Sequence, residues 1–199
     1  MLKLHPNSEK TLTTARLILE PLTTQHAIKL FEKFQDSKLY TYIPVDPPAS
    51  IQEFEARLVK LSSRSAPGRA DLWLNWAARL RNSADDYVGY FQATIHENDT
   101  AAISYTVFSD LWRNGFALES CDAVIEHLFQ DYALKKVYAE IDIRNNASIR
   151  LVKKLGFIRV GHRDNADFFK DNVSHEYLYE LSAFARGNWV LKRIKNKKS

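Results

Sequence analysis

The chain has 199 residues, 45% of them hydrophobic, which is enough to bury one sizeable core but short for two ordinary domains. A single cysteine excludes an intrachain disulfide and favours a reducing, cytoplasmic location. The N-terminal residues lack the apolar core of a signal peptide, and no segment approaches the ~20 apolar residues of a membrane span, so a soluble, unexported protein is expected.

The formal charge of +4 is concentrated at the C-terminus. The basic residues there are Lys192, Arg193, Lys195, Lys197 and Lys198. Without them the chain is close to neutral, and a basic terminus is more often solvated than bound to nucleic acid. We expect a flexible tail over residues 1–12, one domain over 13–190 and a basic tail over 191–199, with a weak ribosome or RNA contact as a hypothesis for that tail.

The first third of the chain predicts one strand and two helices. Residues 15–20 read as a strand, and residues 24–34 bring apolar side chains to one face of a helix. Ser50 and Glu53 have the spacing of a capping box, and the apolar residues after Ser50 follow helical spacing. A helix beginning at Ile51 is therefore predicted.

The remainder predicts a mixed α/β domain. Alternating residues indicate three consecutive strands over 72–78, 87–95 and 101–107. After Gly115 the apolar period changes to three and four, which predicts a helix reaching Tyr132. A strand over 137–143 and a helix over 146–155 follow, and residues 157–163 and 173–181 are predicted to pair as a hairpin.

The segment from Ile103 to Ala117 runs from a strand through a turn into a helix. Such a turn exposes backbone N–H groups at the positive end of the helix dipole, which suits a phosphate or diphosphate. Gly115 removes a side chain that would hold an anion away, and Ala117 keeps the next turn small. A lone glycine before a helix more often just eases a turn, so this motif alone is weak.

A second strand-to-helix segment runs from Arg144 to Phe157. Asn145 or Asn146 can cap the helix that begins there, and a side-chain amide can also bond to a peptide-like ligand. Capping is the expected structural role for one of the two asparagines.

Together the two segments resemble the GNAT superfamily of N-acetyltransferases, and within it the RimJ/RimL branch that acetylates protein N-termini. The sequence from Trp112 to Ala117 stands in the place of that branch's diphosphate loop. Asn145-Asn146-Ala147-Ser148, followed by Leu155-Gly156-Phe157, is similar to its second signature. The resemblance extends from about Thr14 to Trp189. It implies a largely antiparallel sheet of about seven strands, flanked by helices and splayed in the middle to admit acyl-CoA.

The resemblance also implies roles for particular residues. Backbone groups of Tyr105, Thr106 and Val107 would pair with the pantetheine arm of acetyl-CoA. The residues that would surround the diphosphate are Trp112, Arg113, Asn114, Gly115, Phe116 and Ala117. Asn145 would contact the pantetheine amides. Ser148 would lie near the thioester sulfur and could protonate the departing thiolate.

The attacking amine must lose a proton, so a carboxylate is expected within reach of it. By resemblance this base is Asp167 in the final hairpin, although Asp is one methylene shorter than the Glu expected there. Glu140 and Asp142 are rival bases, and surface ion pairing is the alternative role for all three. Tyr177 and Tyr179 either line the acceptor site or pack against neighbouring strands.

The sequence thus predicts an enzyme that transfers the acetyl group of acetyl-CoA directly to a primary amine, with a protein N-terminal amine among the acceptors. Small-molecule acceptors (a polyamine, an amino acid, an antibiotic) and an acyl-CoA-binding sensor or scaffold without turnover remain the alternatives. The six histidines and one cysteine show no metal-ligand spacing, so no metal is expected. A monomer and a homodimer are both compatible with the sequence.

Overall fold

A computed structural model describes residues 9–65 and 70–188. The predicted basic tail lies outside these residues. Within them, eight strands form one sheet in the order β1-β2-β3-β4-β5-β6-β8-β7. The strands are β1 (Leu12–Thr13), β2 (Leu17–Pro21), β3 (Leu72–Leu80), β4 (Tyr87–His96), β5 (Thr100–Val107), β6 (Lys136–Asp142), β7 (Ile158–Phe169) and β8 (Asn172–Ser182).

The α-helices that lie wholly within the described residues are α1 (Ala27–Leu30), α2 (Ile51–Ser62), α3 (Phe116–Asp131) and α4 (Asn146–Lys154). Residues 183–188 are also helical. The capping prediction for α2 is confirmed, because the Ser50 hydroxyl accepts from the Glu53 N–H at 3.2 Å. No helix among the described residues is long and apolar enough to span a membrane.

The helix predicted over residues 24–34 is wrong as a single element. Short 3₁₀ turns stand on both sides of α1, at Thr24–His26 and Lys33–Gln35. The predicted apolar face still forms, since Ala27, Leu30 and Phe34 are buried. Apolar periodicity therefore identified the packed side chains correctly, although the hydrogen bonding changes along the segment.

The sheet opens between β5 and β6, its one parallel pair among the described strands. These strands pair only from Thr100–Lys136 to Ala102–Tyr138. Beyond that point β5 stays paired with β4 to Val107, and β6 stays paired with β8 to Asp142. The strands therefore diverge and leave a gap in the middle of the sheet. The mixed fold with a splayed, mostly antiparallel sheet is confirmed, with eight strands rather than about seven because of the short β1.

The two faces of the sheet are covered differently. On the α3–α4 face, Ile125 of α3 and Val152 of α4 pack in one core with Val137 of β6. On the α1–α2 face, a second core joins residues of α1 and α2 to β3 and β4, including Phe54 and Tyr90. Among the described residues, that second core includes no residue of β6, β7 and β8. Helices α1 and α2 therefore do not cover this face of the three strands, although Asp142 and Ser174 are buried on it.

The final hairpin is longer than predicted. β7 continues to Phe169 instead of ending at Arg163, and only two residues separate it from β8. The pairs Arg163–Glu176 and Asp167–Ser174 leave three residues of β7 opposite His175 alone. This wide bulge explains the error, because its polar residues read as a loop in the sequence.

Candidate functional site

The start of α3 has unused hydrogen-bond donors. Gly115 is the N-cap with φ of 80°, and no side chain caps the helix. The backbone N–H groups of residues 113–118 donate to no backbone or side-chain acceptor within the described part of the chain. Since exposed N–H groups at a helix start attract anions, this turn has the donor set that a diphosphate needs.

A carboxylate in the first turn of α3 could have satisfied these donors, but it is held elsewhere. Glu119 accepts from the Thr14 hydroxyl at 2.6 Å and from the Arg16 N–H and Nε at 2.8 and 2.7 Å. Burial alone would raise the pKa of Glu119, but these bonds outweigh it and lower that pKa. Glu119 is therefore anionic and turned away from the helix start.

Arg16 is a site residue that motif reasoning missed. Its Nη1 donates to the Asn114 carbonyl at 3.0 Å, and its guanidinium lies 4.6 Å from the centroid of the Phe116 ring. A Cβ on Gly115 would come within 3.4 Å of Arg16 Nη2. The sequence pointed to Arg16 only in that the family resemblance begins at about Thr14. Arg16 is far along the chain from either motif.

Trp112 links the turn to the strand before it. Its indole N–H donates to the Val107 carbonyl at 2.7 Å, while much of its ring stays exposed. Arg113 and Asn114 are also exposed, and Arg113 has a left-handed backbone with φ of 65°. The predicted diphosphate residues thus form one exposed turn, in which Trp112 fixes the position of the turn against β5.

Two of the three predicted β5 residues have backbone groups on the strand edge that faces the gap. Phe108 N–H donates to the Val88 carbonyl at 3.0 Å, so even-numbered residues at this end of β5 pair with β4. Because backbone groups alternate between strand edges, those of Tyr105 and Val107 face the gap and those of Thr106 face β4. The backbone groups of Tyr105 and the N–H of Val107, rather than Thr106, are oriented to pair with an inserted pantetheine arm, since the Val107 carbonyl already accepts from Trp112.

The side chain of Tyr105 projects toward the α3–α4 core, and its buried hydroxyl makes no well-formed hydrogen bond among the described residues, with Ser148 as a neighbouring polar group. Burial, assisted by neighbouring Cys121, raises the pKa of Tyr105, with the adjacent Ser148 acting against the shift. A buried hydroxyl without a partner is costly, so a polar ligand group beside Ser148 would be stabilised there.

The start of α4 is capped, unlike that of α3. The Asn145 side-chain oxygen accepts from the Ser148 N–H at 3.1 Å. This confirms the capping role expected for one of the two asparagines. The side-chain NH₂ of Asn145 donates to no group within the described residues, so it can still bond to a ligand.

The predicted carboxylates share the open α1–α2 face. Asp142 pairs across the sheet with Glu176, and Asp167 pairs with Ser174, whose hydroxyl donates to Asp142 at 2.9 Å. Asp142 also accepts from Arg144 Nη2 at 2.6 Å. Burial opposes the ionisation of Asp142, but the bonds from Arg144 and Ser174 dominate and lower its pKa. Asp142 is therefore held by structural bonds, and its lowered pKa makes it a weak base.

Glu176, which sequence reasoning missed, lies beside Glu140. Arg163 bridges these two carboxylates, at 2.9 Å from Glu140 and 3.2 Å from Glu176. Burial first, and the negative charge of Glu140 second, raise the pKa of Glu176. A carboxylate with a raised pKa is a better base than an ordinary one. The proximity of Glu176 to Glu140 follows only from the register of β6 with β8.

Asp167 is exposed near the end of the hairpin, where its Oδ1 accepts from the N–H of Phe168 at 2.8 Å. The tip of the hairpin is anchored by Lys170, whose ammonium donates to the carbonyls of Tyr40, Ile43 and Val45 at 2.7 to 3.2 Å. Tyr179 is not part of this open face, since it is buried in the α3–α4 core.

Comparisons with known proteins agree with this geometry. Residues 16–158 match the family model described as "Acetyltransferase (GNAT) domain". A Bacillus subtilis (strain 168) protein, named an uncharacterized N-acetyltransferase YoaA, is 27% identical over 85% of this chain and 88% of its own.

Solved structures share the fold at low sequence identity. Mycobacterium smegmatis RimJ in complex with CoA-disulfide superposes with a TM-score of 0.80 and 18% identity over 95% of this chain and 97% of RimJ. Ribosomal-protein-S5-alanine acetyltransferase from Vibrio fischeri gives a TM-score of 0.75 and 14% identity over 87% of this chain and 96% of its own.

The fold, the gap and the turn thus occur together in a chain that the family model matches over most of its length. The chain belongs to the GNAT acetyltransferase family and is an acetyl-CoA-dependent N-acyltransferase.

Proposed function

We propose that this acetyltransferase acts on the N-terminal amine of a protein or peptide. The supporting observation is the open carboxylate face of β6, β8 and β7, which continues into an exposed apolar rim. That rim comprises Tyr42, Ile43 and Val45, and Lys170 of the hairpin bonds to the carbonyls of Ile43 and Val45. An N-terminus presents an ammonium group followed by side chains, and this combination complements carboxylates bordered by apolar surface.

Acetyl-CoA fits the opposite side of the gap. The N–H groups of residues 113–118 would bind its diphosphate, and the free edge of β5 at Tyr105 and Val107 would pair with its pantetheine arm. Asn145 would donate its NH₂ to a pantetheine carbonyl. The thioester would then lie between β5 and β6, where an amine can approach from the carboxylate face.

A carboxylate on that face would accept the proton of the attacking amine. Asp167 and Glu176 are the two candidates, and the negative charge of Asp167 contributes to the raised pKa of Glu176. Once the amine has lost its proton, its nitrogen attacks the thioester carbonyl and the thiolate leaves. The Ser148 hydroxyl would donate its proton to that thiolate and take up, directly or through water, the second proton that the nitrogen loses as the amide forms, so that the serine ends neutral.

The acceptor is tested by measuring thiol release from acetyl-CoA with matched peptides. One peptide has a free N-terminus, a second has the same sequence with an acetylated N-terminus and an internal lysine, and spermidine and free alanine are also assayed. We expect turnover with the free N-terminus alone. Exclusive turnover with spermidine or alanine would overturn the acceptor assignment. Acetyl-CoA binding without turnover on any amine would favour a sensor.

The base is tested with Asp167→Asn and Glu176→Gln, each analysed for kcat across pH. We expect the variant lacking the base to lose about 100-fold or more in kcat while keeping its affinity for acetyl-CoA. If Glu176 is the base, the acidic limb of the wild-type profile lies above the ordinary range of a glutamate, because its pKa is raised. Equal, small effects of both substitutions would contradict this assignment.

A further inference from the structure

The hairpin carries a cluster of potential ligands that lies apart from the acyl-transfer groups. His162 of β7, Asp164 of β7 and His175 of β8 each offer a ligand atom within 4.8 Å of the other two. His175 Nδ1 is 3.1 Å from Asp164 Oδ1, and His162 Nε2 is 3.5 Å from the same oxygen. We propose that these three residues bind a divalent transition-metal ion of the zinc class.

The separations are close to what such an ion requires. Ligand atoms at about 2.0–2.2 Å from a tetrahedral ion are about 3.3–3.6 Å apart. Both distances to Asp164 Oδ1 are near this range. The two imidazole rings stack with their centroids 6.3 Å apart, so both side chains would have to rotate to contact one ion. Two nitrogens and one carboxylate oxygen favour Zn²⁺, Co²⁺ or Ni²⁺ over Mg²⁺ or Ca²⁺, which prefer oxygen ligands.

The backbone supports the cluster through the bulge in β7. Three residues of β7 oppose His175, and the middle one, Asn165, has a left-handed backbone with φ of 51°. A bulge redirects the side chains around it, and here it places the Asp164 carboxylate over the two histidines. Since His162 pairs with Tyr177, the histidines lie on the α3–α4 face, away from Asp167 and Glu176.

The backbone N–H of Asn165 donates to His175 Nδ1 at 3.4 Å. The Asp164 carboxylate that lies beside both imidazoles still needs a positive charge or protons between it and the ring nitrogens. Protons can fill this role, in which case the cluster is only a set of histidine–aspartate hydrogen bonds. A bound metal would instead cross-link β7 to β8 at the bulge. It would thereby stabilise the hairpin whose far end carries Lys170 and its contacts with the 40–45 loop.

The test uses tag-free full-length protein, treated with EDTA and dialysed, and titrated with ZnCl₂ by calorimetry at pH 7.5. We expect saturable binding of one Zn²⁺ and a rise in Tm with Zn²⁺. His162→Ala, His175→Ala and Asp164→Asn should each weaken binding at least tenfold, since even groups that only orient metal ligands are worth about 10–100-fold.

His96→Ala is the matched control. His96 contacts Asp71 at 2.8 Å and is similarly exposed, but this pair has no third ligand among the described residues. His96→Ala should change Zn²⁺ affinity by less than about twofold. Absence of saturable binding to the wild type, or binding by all three cluster variants as tight as that of the wild type, would overturn the proposal. The unfolding midpoint of each metal-free variant shows whether it has folded.

Discussion

Two strand-to-helix turns flank the gap in the sheet, and they differ in how their backbone donors are used. At the start of α4, Asn145 caps the Ser148 N–H. At the start of α3, no side chain caps the helix, and Glu119 is bonded to Thr14 and Arg16 instead. A helix start alone therefore does not identify an anion site. The unused donors at α3 distinguish the two turns.

The largest expected effect on acetyl-CoA affinity comes from a negative charge placed at the α3 turn, and the same charge at the α4 turn is the control. Asn114 and Asn146 are both exposed, and each donates only weakly to a nearby carbonyl. If a diphosphate binds at this turn as proposed, Asn114→Asp places a like charge beside it. Two unit charges about 6 Å apart repel by about 3 kcal/mol at an effective dielectric of about 20 before solvent screening. We expect about a tenfold loss of acetyl-CoA affinity, measured by calorimetry.

Asn146→Asp is the control for that substitution, because it makes the same chemical change at the start of α4. Its acetyl-CoA affinity should stay within about twofold of the wild type. Comparable losses in the two variants would show that the difference in capping does not decide where the diphosphate binds.

The next largest effect tests whether Arg16, by holding Glu119 away, keeps the backbone N–H groups at the start of α3 free of a protein acceptor. In Arg16→Ala, Glu119 loses the guanidinium but keeps the bonds from the Thr14 hydroxyl and the N–H of residue 16. Its charge is then no longer neutralised beside the helix start, so acetyl-CoA affinity should fall about fivefold, or about 1 kcal/mol. Adding Glu119→Gln should restore part of that affinity. A further loss in the double variant would contradict the competition between Glu119 and the diphosphate.

The same pair gives a pH dependence of stability. The pKa of Glu119 is lowered by folding, so its contribution is present above the pKa of the unfolded chain and is lost as pH falls through the folded value. The difference in unfolding free energy between wild type and Arg16→Ala should therefore shrink on acidification from pH 7 to below about 4. Urea unfolding at several pH values measures this difference.

A smaller effect separates the capping role of Asn145 from its proposed contact with acetyl-CoA. Asn145→Asp keeps the oxygen that caps α4 but loses the NH₂ donor, so the fold should keep its stability while the KM for acetyl-CoA rises about threefold, as for one neutral hydrogen bond. Asn145→Ala should lose about 1 kcal/mol of stability as well. An unchanged KM in Asn145→Asp would limit Asn145 to capping.

The smallest effect concerns the link between the α3 turn and β5. Trp112→Phe removes the indole donor to the Val107 carbonyl while keeping an aromatic ring. Because this bond is partly exposed, we expect a loss of about 0.5–1 kcal/mol of stability and a change of about twofold in acetyl-CoA affinity. A tenfold loss would show that Trp112 contacts acetyl-CoA directly.

Local sequence was sufficient wherever one segment decides its own structure. The Ser50 cap, the alternation of β3 to β6 and the change of period after Gly115 each depend on neighbours within a few residues, and each was predicted correctly. The bulged β7 and the broken helix around α1 were not, since pairing with β8 and packing over β4 override local pattern there.

The sequence by itself determined the two helix-start motifs and, through their order, the family resemblance. Only the tertiary structure decided which residues meet across the sheet. Arg16 reaches Asn114, Glu176 lies beside Glu140, and His175 comes within reach of Asp164. The physical reason is that each of these contacts depends on strand register or on the packing of distant segments, which side-chain spacing along one chain does not encode.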